Sequence, residues 1–573
     1  MKKIFQFVFT AFVFTLFKFS MAQDLNNIQN QKPFEITGTA SGSVGYYQSS
    51  AFNSTRKPYS YSIMAAPTIS VYGVQIPLNF TFTEGSKTVT NPFAQFGVNP
   101  YWKWIKLYAG WTNMSWSPTT LNGKTFLGIG VELNPSLFRF GAMYGRFNPA
   151  IKEDTLKAGI APQFKRRGWG LKLGVGNQDN YFDFIWLHAK DIASSIPPIT
   201  DTVNQFSTTP AENAVFGIRS HQSFLKKKLV WDLDGAASAY TRDLNSQLLD
   251  IGTGIGTNFL RVAIPPRLST SYAWTAHTAI TYKCEKYTLG IDYNRIQPEY
   301  RSMGVDYLLN DQEKISLTEN FNALKKKLLL NFGETYQHDD LNQRKAIMTH
   351  RTGFNSTIAL NLNQNFGVSF SYNNFIMFQT KGLKELNDTT KLFQVQQNIV
   401  AAPRYTLIGK KLVQNIFMAL AYSRLDDLNS FTAKFSRNST VNWNVGYSLS
   451  VTKIGFSFAP SFNVLYSQTP IMNLMNVGPS VSLSKSFYKG KISTSVMLGF
   501  TASKQNDNWT SKTLNNTINI NYRITAHHAL KLSNSIMKTF FAYSESHEYK
   551  GSLAYTYTFS YSVDKNRKQE KNF

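Results

Sequence analysis

Eight histidines, His188, His221, His277, His338, His350, His527, His528 and His547, are the residues best suited to hold a metal or carry a proton. None stands at the HExxH spacing that sets two imidazoles on one helix face, and His527-His528 falls beside a predicted turn. No GxSxG nucleophile elbow occurs. The cluster Gly252-Thr253-Gly254-Ile255-Gly256 lies in a predicted outer loop rather than at a strand-to-helix junction, so it does not read as a phosphate cradle. Cys284, the single cysteine, cannot close an internal disulfide and reads as an isolated thiol at a turn. No catalytic residue, cofactor or metal is therefore expected, and an enzyme is not. The other charges of interest, Glu132, Arg139, Asp232, Asp234, Asp292 and Arg523, sit at alternating positions that would turn them to the inside of a wall, where the plain expectation is a solvated surface with internal ion pairs.

The elements that would carry those charges have a period of two. Leu553, Tyr555, Tyr557, Phe559, Tyr561 and Val563 alternate with small polar residues. Val441, Trp443, Val445, Tyr447 and Leu449 oppose Asn442, Asn444, Gly446 and Ser448, and Ile518, Ile520, Tyr522 and Ile524 oppose Asn519, Asn521 and Arg523. Alternation sustained along the whole chain predicts β-strands with one apolar face and one polar face.

Hydrophobic residues make up 42% of the 573, with 29 Tyr and 44 Phe, yet the mean hydropathy is −0.26. Beyond the N-terminus no apolar run approaches the roughly 18 residues of a membrane helix. A bilayer offers no water, so backbone amides must pair internally, and only helices or closed barrels achieve that. The expected fold is therefore all-β, a single large transmembrane antiparallel up-and-down barrel of about 26 strands, within a range of 24 to 26.

Residues 1–22 read as a cleaved export signal, with Lys2 and Lys3 before the apolar run Ile4 to Phe17 and small residues at Ser20 and Ala22. A short periplasmic segment would occupy 23–33, the barrel 34–563 and a basic periplasmic tail 564–573, in the bacterial outer membrane. Strands are predicted at, among others, 92–99, 101–112, 299–309 and 327–338. Long outer loops are predicted at 49–58, 149–166, 191–212, 241–267 and 379–391. The segment 310–326 departs from the order of short and long connections, since it would be a long periplasmic turn. Loops at 241–267 or 310–326 would be the ones to narrow a pore.

The formal charge of +26 falls to +23 once Lys2, Lys3 and Lys18 leave with the signal. Nucleic acid is not an expected partner at this location. The excess should act on outer-membrane lipids, anionic solutes or an acidic protein. Part of it lies in predicted periplasmic turns, at Lys226, Lys227, Lys228, Lys325, Lys326, Lys327, Lys410 and Lys411. Those lysines read as strand-end caps reaching toward head groups, or as a docking surface for a periplasmic or lipoprotein subunit.

The run Pro92-Phe93-Ala94-Gln95-Phe96-Gly97-Val98-Asn99-Pro100, with Tyr108-Ala109-Gly110-Trp111, Gly128-Ile129-Gly130-Val131-Glu132-Leu133-Asn134-Pro135 and Met143-Tyr144-Gly145-Arg146-Phe147, resembles a family of uncharacterised outer-membrane barrels of Bacteroidota. Tyr300-Arg301-Ser302-Met303-Gly304 followed by Asn310-Asp311 extends the likeness, which implies location and fold only. A TonB-dependent receptor would place a large plug domain before its first strand, where only Gln23 to about Pro33 stands. The functional expectation is a passive or gated transport channel for a solute or macromolecule. The alternative is a non-enzymatic accessory or scaffold subunit of a secretion or barrel-assembly complex, such as the type IX secretion apparatus.

Overall fold

In the computed structural model the described residues are 32–563, apart from 51–56, 73, 84–96, 153–160, 198–207, 251–263, 386–388 and 390. The predicted signal, the tail and the Gly252–Gly256 cluster lie outside them. The chain forms a closed antiparallel barrel of 26 strands, with 73% of the described residues in strands. The first seven are β1 Phe34–Ser49, β2 Tyr59–Val71, β3 Val74–Thr83, a bent β4 of Gly97–Val98 and Tyr101–Trp102, β5 Ile105–Asn113, β6 Thr125–Leu133 and β7 Phe138–Asn148. Next come β8 Lys165–Gly176, β9 Asn180–Ile192, β10 Glu212–Phe224, β11 Leu229–Thr241, β12 Thr270–Lys283 and β13 Tyr287–Ile296. The second half holds β14 Gln312–Ala323, β15 Leu328–His338, β16 Ile347–Asn361, β17 Phe366–Lys381, β18 Phe393–Ile408, β19 Leu412–Asp427 and β20 Asn438–Val451. It ends with β21 Phe456–Gln468, β22 Asn473–Phe487, β23 Ile492–Gln505, β24 Asn508–Arg523, β25 His528–Phe541 and β26 Glu545–Val563.

Each strand pairs with its sequence neighbours, and closure comes from β1 against β26, in register from Phe34 opposite Val563 to Ser49 opposite Glu548. That seam leaves no free edge, as a chain in lipid requires. Residues directly opposite share a face, so the outward set can be traced around the ring. Val44, Ile63, Ile129, Val175, Ile291 and Ile536 belong to it and are all exposed, which is the arrangement of side chains solvated by acyl chains. The protein is a multi-pass β-barrel of the bacterial outer membrane.

Connections alternate between two ends. At the end that carries both termini of the barrel the turns are short, among them Leu225–Lys228, Cys284–Lys286, Leu324–Lys327 and Gly409–Lys411. The longer loops are at the opposite end. Cys284 is a free thiol in one of the short turns.

The strand predicted at 101–112 begins only at Ile105, Tyr101–Trp102 closing β4 instead, and one segment differs more deeply from the sequence reading. Residues 299–309 are not a wall strand, and 310–326 is not a long turn. The fourteenth strand is Gln312–Ala323, paired with β13 through Ile291 opposite Leu317 and with β15 through Thr318 opposite Gly333. The turn after it is only Leu324–Lys327, so the break in connection order disappears. Residues 297–311 are instead a long-end loop that folds inward. Tyr300, Met303 and Leu308 imitate a strand's apolar content because they pack against the inside of the wall rather than against lipid.

This register makes Leu317 lipid-facing and Thr318 lumen-facing. Leu317→Lys should destabilise the barrel by roughly 2 to 4 kcal/mol, while Thr318→Lys should be near neutral in denaturant unfolding from lipid vesicles. The opposite ranking would return β14 to a different register.

Candidate functional site

The inner face of β6 to β10 is unusually rich in glycine: Gly128 and Gly130, Gly141 and Gly145, Gly168 and Gly170, then Gly174 and Gly217. Two long-end loops lie on this bare wall. The loop between β5 and β6 brings in Met114, Trp116, Thr120 and Leu121, all nearly inaccessible. The loop between β13 and β14 adds Tyr300, Ser302 and Met303. The two join by a short parallel pairing of Leu121-Asn122 with Gly304-Val305.

The glycines are there for room. A Cβ on Gly170 would lie 2.8 Å from Trp116 Cζ3, and one on Gly130 would lie 2.5 Å from Met114 Sδ. The indole of Trp116 therefore lies flat against backbone, and neither loop could approach a wall of ordinary side chains so closely.

Polar anchors fix the loops in register. Trp116 Nε1 donates to Glu132 Oε1 at 2.9 Å, Lys172 Nζ to the same oxygen at 3.1 Å, and Tyr108 OH to Oε2 at 2.7 Å. Arg219 donates to the Trp116 carbonyl at 2.7 Å, and Thr119 Oγ1 donates to Asp234 Oδ1 at 2.6 Å. Asn213 holds the second loop, accepting from Met303 N at 2.9 Å and donating to the Arg301 carbonyl at 3.2 Å. Tyr300 OH links the loops by donating to the Thr119 carbonyl at 2.9 Å. Burial, helped by the nearby Asp234 carboxylate, pushes the Tyr300 phenol far up from its ordinary value, so it stays a neutral donor.

Of the six charges singled out from sequence, Glu132 and Asp234 are these loop anchors. Arg139 pairs with Asp183, Nε to Oδ1 at 2.6 Å. Asp232 meets His221 at 2.6 Å, and Asp292 meets His277 at 2.7 Å. Five of the six thus share the arc β6 to β13, while Arg523 stands apart at the short-turn end of β24. Of the turn lysines, Lys227 pairs with Asp179 at 2.7 Å, and all of those named earlier are in or beside short turns. The in-folded loops themselves were not anticipated, since 241–267 and 310–326 were the expected candidates. Their signal was the run of alternate glycines on neighbouring strands.

At the long-loop end the second loop and the mouth of the wall enclose a cleft of about 590 Å³. Lys124, Arg166 and Arg301 reach it, with Asn148, Gln163 and Asn310 beside them. Lys124 is paired with Asp306, and Arg166 holds Asp191 through two bonds at 2.8 and 3.0 Å. Arg301 lies 5.1 Å from the centre of the Tyr240 ring and has no carboxylate partner among the described residues. Among the described residues it is the uncompensated charge of the cleft. Among the described residues no group of three His, Cys, Asp or Glu could hold a metal ion.

Neither a protein-family model nor a curated protein matches the sequence. Among solved structures, Pseudomonas aeruginosa OpdK with vanillate is 10% identical, covering 62% of this chain and 93% of its own, with a TM-score of 0.31. Acinetobacter baumannii OccAB2 is 11% identical over 61% of this chain and 93% of its own, at 0.29. The translocation pore of the P pilus usher, PapC, is 11% identical over 92% of this chain and all of its own, at 0.31.

Two outcomes follow from the anchoring. Trp116→Ala should release the first loop at a local cost of about 3–5 kcal/mol, read as faster amide exchange over 114–124 with the strands β16 to β25 unchanged. Asp311 is the second case. Burial opposes its ionisation, but the Lys345 ammonium and the Leu341 and Asp340 amides outweigh it and hold the carboxyl below the ordinary 3.8. A depressed carboxyl contributes its stabilisation above the unfolded value and loses it as pH falls through the folded one. A spin label at Asn342 should therefore be ordered at neutral pH and become mobile as the pH drops below 3.8. Asp311→Asn should leave it mobile at both.

Proposed function

We propose that the barrel is a diffusion channel for small hydrophilic solutes, narrowed along one side by the paired loops and biased toward anions. The observation that carries this reading is the unequal lumen. A ring of 26 strands is too wide for wall side chains to fill, and the described loop residues packed inside it cover the arc β5 to β13. The facing arc is a lattice of small polar groups. Ser461 and Ser480 bond at 2.7 Å, Asn463 and Asn442 at 2.8 Å, and Ser533 and Asn519 at 2.7 Å, each across adjacent strands. Such a surface is wetted over most of its extent. Anions would meet the unpaired Arg301 at the mouth and the lysine-bearing turns at the far end.

A second reading rests on those turns. Lys226, Lys227, Lys325 and Lys326 have φ of 58°, 68°, 56° and 67°, where a side chain with a Cβ costs roughly 1–2 kcal/mol. The charge is kept against backbone preference, which suits a docking surface for an acidic periplasmic or lipoprotein subunit of a secretion or assembly complex.

In planar bilayers the purified barrel should pass current with anion preference, and Arg301→Gln should reduce that preference by roughly twofold. Cation preference, or no conductance at all, would sink the channel. Stoichiometric proteins retained on purification in mild detergent, and lost from a Lys226→Glu, Lys326→Glu variant, would favour the second reading.

A further inference from the structure

The outward face of β7 to β9 carries an arrangement that a lipid-facing surface should not have. Arg146 stands directly opposite Arg167, and Arg167 directly opposite Lys190. All three point away from the lumen, as their register with outward Tyr144, Leu173 and Phe184 requires. Lys165 lies one outward position beyond Arg167 on the same strand. Cross-strand neighbours have Cβ atoms roughly 5 Å apart, and like charges placed so are destabilising.

Among the described residues only Lys190 is neutralised, by Glu212 at 3.1 Å, and that carboxylate is shared with His188. Arg146, Arg167 and Lys165 have no carboxylate partner among the described residues. Arg146 lies 5.6 Å from the centre of the outward Trp111 ring, and its Nε is buried with no hydrogen-bond acceptor among the described residues. A buried guanidinium nitrogen without an acceptor is costly, and here it faces the same side as the unpaired row.

Depth identifies what could satisfy it. One outward position nearer the membrane centre runs the row Tyr144, Trp169 and His188, with Trp169 and Trp186 in edge contact at 4.8 Å. Such aromatic rows mark the interface between acyl chains and head groups. The cations stand just beyond it at the long-loop end, in a row about 10 Å wide across three strands. We propose that Arg146, Arg167 and Lys165 form a site for the phosphate of a lipid head group in the outer leaflet, with Trp111 in the row of Arg146 and Trp169 below it packing beside the lipid. Guanidinium forks match phosphate oxygens in pairs, and the exposed Arg167 at the centre of the row has its fork free to do so.

The test uses the full barrel in phosphatidylcholine nanodiscs doped with phosphorylated lipid A, with retained lipid counted by native mass spectrometry. Wild type should retain the phosphorylated lipid, and Arg146→Gln with Arg167→Gln should retain it about tenfold less, the loss expected for charge-assisted bonds. Arg424→Gln is the control, since Arg424 has the same outward aspect at the same end but its own partner, Asp426, at 2.8 Å. It should change nothing. If the double variant does not fold, judged by heat-modifiable migration, Arg167→Gln alone carries the test, because that side chain is exposed. Equal retention by variant and wild type, or equal retention of dephosphorylated lipid A, overturns the site. Displacement of the lipid by millimolar inorganic phosphate overturns the assignment to a lipid.

Discussion

Every feature of this protein depends on the need to pair backbone amides where no water can reach them. β1 closing on β26 meets that need for the wall. It also forces the alternation that turns each side chain either to lipid or to the lumen. Once the ring has 26 strands, the lumen is wider than its side chains can span, and the chain must either leave it wet or furnish it with something else. Here both solutions appear in one molecule, polar lattice on one arc and packed loops on the other.

The packed arc shows how a chain buries loops without a soluble domain. Loop backbone inside the lumen must also find partners, and it does so through side chains of the wall. Asn213 and Arg219 meet the backbone of Met303 and Trp116 in this way, while Glu132 and Asp234 hold the Trp116 and Thr119 side chains. These anchors hold only if the loops come close enough, and closeness comes from the glycines. The charged wall residues are therefore structural brackets first, and Arg301 stands in the cleft only because the second loop is held in place.

The wall was legible in the sequence because its constraint is local: a period of two and short turns. The region 297–323 was not, for a reason visible in particular residues. Tyr300, Met303, Val305 and Leu308 carry the apolar content of a strand, but it is spent against the inner wall. The true strand, Gln312–Ala323, carries outward charges that hide its pattern. Glu313 is met by Arg295 at 2.6 Å and Tyr293 at 3.0 Å, and Glu319 stands opposite Phe332. Five of the six inner-wall charges were found by alternation on one arc, yet alternation could not say that two of them would bracket loops, because that depends on where the loop residues fold back, Trp116 onto Glu132 and Thr119 onto Asp234, 115 positions away.

The same strands that are bare inside are bulky outside. Gly145, Gly168 and Gly170 face the loops, while Tyr144 and Trp169 between them, and the neighbouring Trp186, face lipid. A sheet with glycine on one side must gain its cohesion from the other side and from whatever lies on the glycines. Across β6 to β10 the barrel is thus three layers thick, loop, sheet and aromatic belt, where elsewhere it is a single sheet. Rigidity should follow that thickness. This arc is where side chains are most deeply buried, and it is the arc on whose outer surface the unpaired cations stand. A row of like charges needs a stiff support to stay in register against its own repulsion, and a wall braced from within supplies one.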